Sequence, residues 1–171
     1  MGNIKTRCVI IGGGDCSVDL LKINVSNNDY IICADGGLKH IKKLGIKPDI
    51  AIGDFDSSAP SGENCKIYPV RKDFTDGELA VNYAIERGYE SAMMFGMIGS
   101  RMDHSLANLT LLNRFSEGCI INSNNEIYFV KMPNGSGPRH LCFSQDGRYF
   151  YCVNELSNDV SVLEWNDGNP I

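Results

Sequence analysis

Apolar residues along this chain fall into short β-rich runs that stop at glycine, alternating with stretches where they recur at helical spacing. Residues 6–11 (T-R-C-V-I-I) form the first run and end in Gly12-Gly13-Gly14; residues 30–34 (Y-I-I-C-A) form the second and end in Asp35-Gly36-Gly37. Leu38, Ile41 and Leu44 then recur at every third position among lysines, and Gly45 follows as a C-terminal cap, which predicts a short amphipathic helix. The lysines around His40 place it on the exposed side of that helix. Residues 50–53 read as a third strand delivering Asp54-Phe55-Asp56-Ser57, and residues 66–70 as a fourth. Thr75-Asp76-Gly77-Glu78 has the form of a capping box and opens a helix carrying Leu79, Val81, Ala84 and Ile85, which Gly88 ends. Residues 91–98 are the next strand. Gly99 to His104 turn into a helix with Leu106, Leu109 and Leu112, and residues 119–122 and 127–130 read as two more strands.

This alternation implies right-handed crossovers and an α/β fold: a mainly parallel sheet with helices on both faces, occupying residues 1–130. Beyond Lys131 the texture changes to turns and short strands at 139–143, 149–154 and 160–165, with an Asp146-Gly147 turn between two of them. That spacing predicts a short antiparallel β tail over residues 131–171, an incomplete domain that has to pack on something else.

A length of 171 residues fits one principal domain, and 43% hydrophobic with 22% charged residues is an ordinary globular composition. No apolar run approaches the roughly 20 residues that cross a bilayer, so the expectation is a cytoplasmic protein with no membrane partner. Residues 1–6 fit the loose myristoylation pattern, but a strand follows at once and leaves no flexible arm. Net charge is −5, which argues against nucleic acid as a partner. The seven cysteines form no C-x-x-C pair and read as reduced, mostly buried thiols.

In open parallel sheets the ligand crevice lies beyond the carboxyl ends of the strands, and Asp35, Asp54, Asp56, Asp76, Arg101 and Asp103 all fall there. Carboxylates gathered so closely need a compensating cation. All-oxygen ligation suits Mg²⁺, which keeps several waters and bridges carboxylates to phosphates, whereas the scarcity of His and paired Cys disfavours zinc. Glycines at 12–14 and 36–37 let backbone N–H groups approach an anion, and Arg101 can neutralise charge on a transferring phosphoryl group. Taken singly, each feature also reads as a turn or a cap: Asp56 and Ser57, Thr75 and Glu78, Asp35-Gly36-Gly37, and His104 beside Asp103. Gly12-Gly13-Gly14 lacks the third glycine of the dinucleotide fingerprint, and no G-x-x-x-x-G-K-[ST] occurs. Metal-assisted phosphoryl chemistry outside the P-loop class is the reading these residues support.

In order and spacing, Ala34-Asp35-Gly36-Gly37, Pro48-Asp49, Gly53-Asp54-Phe55-Asp56-Ser57, Lys72-Asp73-Phe74-Thr75-Asp76 and the run from Gly99-Ser100-Arg101-Met102-Asp103-His104 to Leu109 resemble the successive signatures of the thiamine pyrophosphokinase family. The resemblance covers about residues 6–130. It implies transfer of pyrophosphate from ATP to thiamine with release of AMP, by a homodimer whose partners are ATP and thiamine. On that analogy Asp54, Asp56 and Asp76 hold Mg²⁺ and the phosphates, Asp35 joins them in the catalytic set, and Thr75, Arg101 and Asp103 contact nucleotide. Gly36, Ser57 and His104, from the same motifs, complete the expected nucleotide contacts. The tail departs from the pattern: Gly135 to Leu141, Asp146-Gly147-Arg148 and Val153 to Leu156 resemble about one blade of a propeller lactonase of the 6-phosphogluconolactonase type, where the family normally continues into a β-sandwich. One blade cannot close a propeller. Two other readings stand beside the enzyme: a non-catalytic Mg-nucleotide binding domain, and a β tail used as a protein-interaction module.

Overall fold

The computed structural model describes residues 7–55, 64–69, 73–99, 102–115, 117–125, 127–128, 135–136, 138–146, 148–166 and 169–170. Strands β1 (Arg7–Ile11), β2 (Asp29–Ala34), β3 (Ile50–Gly53), β4 (Cys65–Ile67), β5 (Ser91–Phe95), β6 (Glu117–Ile121) and β7 (Ile127–Tyr128) make one sheet in the order β4-β3-β2-β1-β5-β6-β7. All its pairings are parallel except that of β6 with β7. The chain thus steps outward from β1 to β4 and returns to the other side of β1 with β5, so connections leave β1 and β5 in opposite directions. The predicted fold class is the one observed. The fourth strand is shorter than expected, and its predicted end at Val70 lies outside the described residues, as do residues 1–6 with the myristoylation pattern.

Strand residues alternate between two buried faces, as a parallel sheet covered on both sides requires. Cys8, Ile10, Ile32 and Ile52 meet Leu79, Ala80, Val81 and Ala84 of α3 (Asp76–Glu86) and Leu109 and Leu111 of α4 (Met102–Leu111). Val9, Ile11, Ile31 and Cys33 meet Leu21 of α1 (Val18–Asn24) and Leu38 and Ile41 of α2 (Leu38–Leu44). Helix α1 was not foreseen. It has two turns and one buried residue, too short for a periodicity to show, and its only local mark is Ser17, whose Oγ accepts the Leu20 amide at 3.4 Å. The other helix signals read true. Gly45 closes α2 with φ 69°, and Thr75 Oγ1 accepts the Glu78 amide at 3.1 Å.

At the opposite end of the sheet from the strand carboxyl termini, Arg7 on β1 donates to both oxygens of its neighbour Asp29 on β2, at 3.0 and 2.8 Å, and the Ser26 amide adds a 2.7 Å bond. Burial alone would raise the Asp29 carboxyl. The hydrogen bonds and charge of Arg7 and the bonds from Ser26 outweigh it and hold the group below its ordinary range.

Past Tyr128 a second sheet, β8 (Pro138–Phe143), β9 (Tyr149–Asn154), β10 (Asp159–Asn166) and β11 (Asn169–Pro170), is antiparallel throughout and lies beside α4 through β8. One side is buried at Cys152 and Asn154, the Asn154 amide donating to Asp159 at 2.6 Å and Ser161 at 2.7 Å. The other turns Val153 and its cross-strand partner Val160, with Val162, out to solvent at 45, 54 and 59% exposure. All seven cysteines are free thiols, three of them fully buried, and burial pushes Cys8 up to about 12. Among the described residues no helix is long and apolar enough to cross a membrane.

Candidate active site

The cleft opens where the chain reverses, at the carboxyl ends of β1 and β5. The turn leaving β1 is laid directly on the turn leaving β5: the Gly12 amide donates to Phe95 O and the Gly14 amide to Gly96 O, each at 2.8 Å. A Cβ at Gly12 would stand 2.6 Å from Gly96 O, so no larger residue fits there without displacing backbone. Asp35 and Gly36, at the end of β2, form the next wall. Thr75, Asp76 and Gly77 at the start of α3 form another, and His104, Ser105 and Asn108 of α4 close the cleft, which has a volume of about 400 Å³.

Three carboxylates from three different elements meet at this cleft, Asp35 and Asp76 in its lining and Asp54 beside them. Asp35 begins the 3₁₀ turn after β2, Asp54 follows the last residue of β3, and Asp76 is the first residue of α3. Each contributes one oxygen to a group whose members all lie within 4.8 Å of one another, and all three side chains are half-buried. Oδ1 of Asp35 and of Asp76 are shielded from solvent. The backbone is bent to achieve this: Asp35 has φ 33° and Phe55, next to Asp54, has φ 52°. The left-handed region costs a non-glycine residue of order 1 kcal/mol, more for a bulky one, and such strain gathers where a site needs it. The donor set is oxygen only, which suits a hard dication.

Of the expected site residues, the structure brings Asp35, Asp54 and Asp76 together and lines the same cleft with Gly36, Thr75 and His104. Asp56, Ser57 and Arg101, and the side chain of Asp103, lie outside the described residues. Residues not singled out from sequence complete the site. Asn108 donates to Met97 O at 2.7 Å, and Ser105 Oγ accepts the Gly99 amide at 3.2 Å, so α4 holds the β5 turn in place. Both sit in the run from Gly99 to Leu109, where spacing alone gives no reason to separate them from the helix's apolar residues.

His40 corrects the sequence reading. It is 6% exposed, and its Nε2 lies 2.9 Å from Gly14 O, while the Nζ of Lys39 donates to Gly13 O at 2.5 Å. Two consecutive residues of the lysine-rich helix therefore grip the glycine turn. Burial holds the His40 imidazole below its ordinary value, with Lys39 and Lys43 adding to the effect and the Gly14 carbonyl and Asp15 opposing it.

Residues 21–128 match the family described as thiamin pyrophosphokinase, catalytic domain, and residues 119–170 match the family described as lactonase, 7-bladed beta-propeller. The thiamine pyrophosphokinase of Bacillus subtilis (strain 168) is 32% identical over 175 residues, covering 96% of this chain and 76% of that protein. A crystal structure of thiamine pyrophosphokinase from Bacillus subtilis superposes with a TM-score of 0.58 at 26% identity, over 67% of this chain and 60% of that one. Compared with that solved structure, the superposed part spans about three-fifths of its length. In the tail, a 6-phosphogluconolactonase of Formosa agariphila is 50% identical over 40 residues, which is 23% of this chain and 11% of that protein.

Proposed function

This chain belongs to the thiamin pyrophosphokinase family, a family of enzymes, and from that premise we propose that it transfers pyrophosphate from ATP to the hydroxyl of thiamine, releasing AMP. The observation that carries the reading is the meeting of Asp35, Asp54 and Asp76 at a glycine-walled cleft, itself at the chain-reversal point of the sheet. Residues 1–130 are the catalytic unit in this reading and residues 131–171 an appended, incomplete β unit. A homodimer, as the family resemblance implies, working in the cytoplasm completes it.

Asp54 and Asp76, with Asp35 beside them and Asp56 from the same motif, would hold Mg²⁺; the oxygen-only donor set and the 4.8 Å spread of the three described carboxylates fit that ion. When bound, Mg²⁺ supplies charge neutralisation for the polyphosphate and draws electron density from the attacked phosphorus. The chain's own groups do the rest. The glycine turns at 12–14 and 36–37 let backbone approach the phosphates, while Thr75 caps the eleven-residue α3, whose amino end faces the same space. The thiamine hydroxyl oxygen forms its bond to the β-phosphorus as one carboxylate of the cluster takes its proton; the bond from the β-phosphorus to the oxygen of the α-phosphate breaks, and AMP leaves. Arg101, Asp103, Ser57, Gly36 and His104 are assigned to the nucleotide.

A coupled assay for AMP with ATP, thiamine and Mg²⁺ tests this: AMP should form only when all three are present and stop on adding a chelator. The alternative is a Mg-nucleotide binder without turnover, favoured by the lactonase-like tail. It predicts calorimetric Mg-ATP binding and no thiamine-dependent AMP.

A further inference from the structure

The α2 helix already has an apolar reason for its position, since Leu38 and Ile41 are buried against β1 and β2. His40 is buried without serving that core. A leucine would fill the same place without the penalty of enclosing an imidazole. What the imidazole does instead is reach the turn after β1. A carbonyl oxygen only accepts, so the 2.9 Å contact of Nε2 with Gly14 O requires the proton on Nε2 and leaves Nδ1 bare; Nδ1 is buried and has no hydrogen-bond partner among the described residues. Lys39 does the same for the preceding carbonyl, that of Gly13.

Those two carbonyls matter because of what the cleft is proposed to hold. Backbone that cradles a polyphosphate has to present N–H groups; a carbonyl turned the same way would set a partial negative charge against the anion. Consecutive glycines offer little resistance to a peptide flip, since neither sign of φ is hindered. The bond from the Gly14 amide to Gly96 O fixes the Gly13–Gly14 peptide, its carbonyl included, but leaves the Gly14–Asp15 peptide, with the Gly14 carbonyl and the Asp15 amide, to find its own orientation. We propose that His40 is a positioning residue of the polyphosphate cleft: with Lys39 it ties the carbonyls of Gly13 and Gly14 to α2, whose two side chains stand outside the cleft lining, and so fixes the Gly14–Asp15 peptide and the direction of its amide. The inference rests on the reading of the cleft as a Mg-ATP site. It assigns no chemistry to His40, which acts through the turn.

The test uses the full chain with His40→Leu, His40→Gln and Lys39→Met. Glutamine keeps an N–H donor at comparable reach, leucine keeps bulk without a donor, and Lys39 is exposed, so its replacement does not endanger folding. Two readouts are taken: hydrogen exchange of the segment spanning residues 12–16, and the Mg-ATP dissociation constant by calorimetry. His40→Leu should speed exchange in that segment and weaken Mg-ATP binding, each about tenfold, the scale of one buried hydrogen bond. His40→Gln should restore both, and Lys39→Met should loosen the same segment while the central strands keep their protection. Unaltered exchange at 12–16 in both His40→Leu and Lys39→Met overturns the proposal, as does a loss in His40→Leu that glutamine does not rescue. If the unaltered protein binds no Mg-ATP, the reading of the cleft fails separately. Exchange at 12–16 then decides the tie between α2 and the glycine turn by itself.

Discussion

Asp35 occupies the space that a side chain on Gly53 would need: a Cβ built at Gly53 would lie 2.8 Å from the Asp35 Cβ and 3.2 Å from its Cα. The last residue of β3 and the first of the 3₁₀ turn after β2 are thus packed backbone to backbone, one residue before Asp54 joins the carboxylate cluster. Gly53→Ala should cost about 1–3 kcal/mol, the range for overpacking a tight site, and displace Asp35 from Asp54. Denaturant unfolding and Mg-ATP titration check this together. A variant with unchanged stability and unchanged affinity would contradict the packing described.

Asp54→Asn and Asp76→Asn remove one charge each from a cluster held together by its geometry. Each should weaken metal-dependent nucleotide binding by at least about tenfold, since a charge-assisted contact contributes roughly 1.5–3 kcal/mol, with little loss of folding stability. Calorimetry with and without Mg²⁺ reads the effect. Full Mg-ATP affinity in both variants would remove these residues from the site.

Thr75 has two tasks, capping α3 and lining the cleft. Thr75→Ala should lose about 1 kcal/mol of stability with the cap, and Thr75→Ser should recover it. Thermal unfolding of the pair distinguishes a cap from a residue that only faces ligand, because in the latter case serine and alanine would melt alike.

Acid should act in two stages. His40 lies below its ordinary value in the fold, so the unfolded chain takes up its proton first; the stability is complete above about pH 6.5 and falls as pH drops through the depressed folded value. Asp29, also depressed, contributes stability above about pH 3.9 that is lost as pH falls further, when the partner of Arg7 becomes neutral. Urea unfolding from pH 8 to pH 3 should show both declines, and in His40→Gln the first should vanish while the second persists.

Much of this architecture was legible in the residues because its signals are local. Glycines after β1 and β2, the Thr75 cap and the αL glycine at 45 announce where elements stop, and strand ends in a parallel sheet all lie on one side. That was enough to bring Asp35, Asp54 and Asp76 together on paper. What stayed hidden depends on contacts across the sequence. His40 among lysines looks solvated until the β1 turn is laid against it, and Ser105 and Asn108 look like ordinary helix positions until the β5 turn hands them Gly99 and Met97. Helix α1 escaped for a different reason, having one buried side chain and so no stripe to detect.

The seam between β1 and β5 joins segments with three strands and three α-helices between them among the described residues. Loop-closure entropy makes so distant a pairing a late event in folding. The recess that takes the ligand has no counterpart in a chain that has yet to make this join. Any molecule gripped there therefore stabilises the most non-local step of assembly, and its presence should raise the whole protein's resistance to unfolding in proportion to the logarithm of its concentration above saturation.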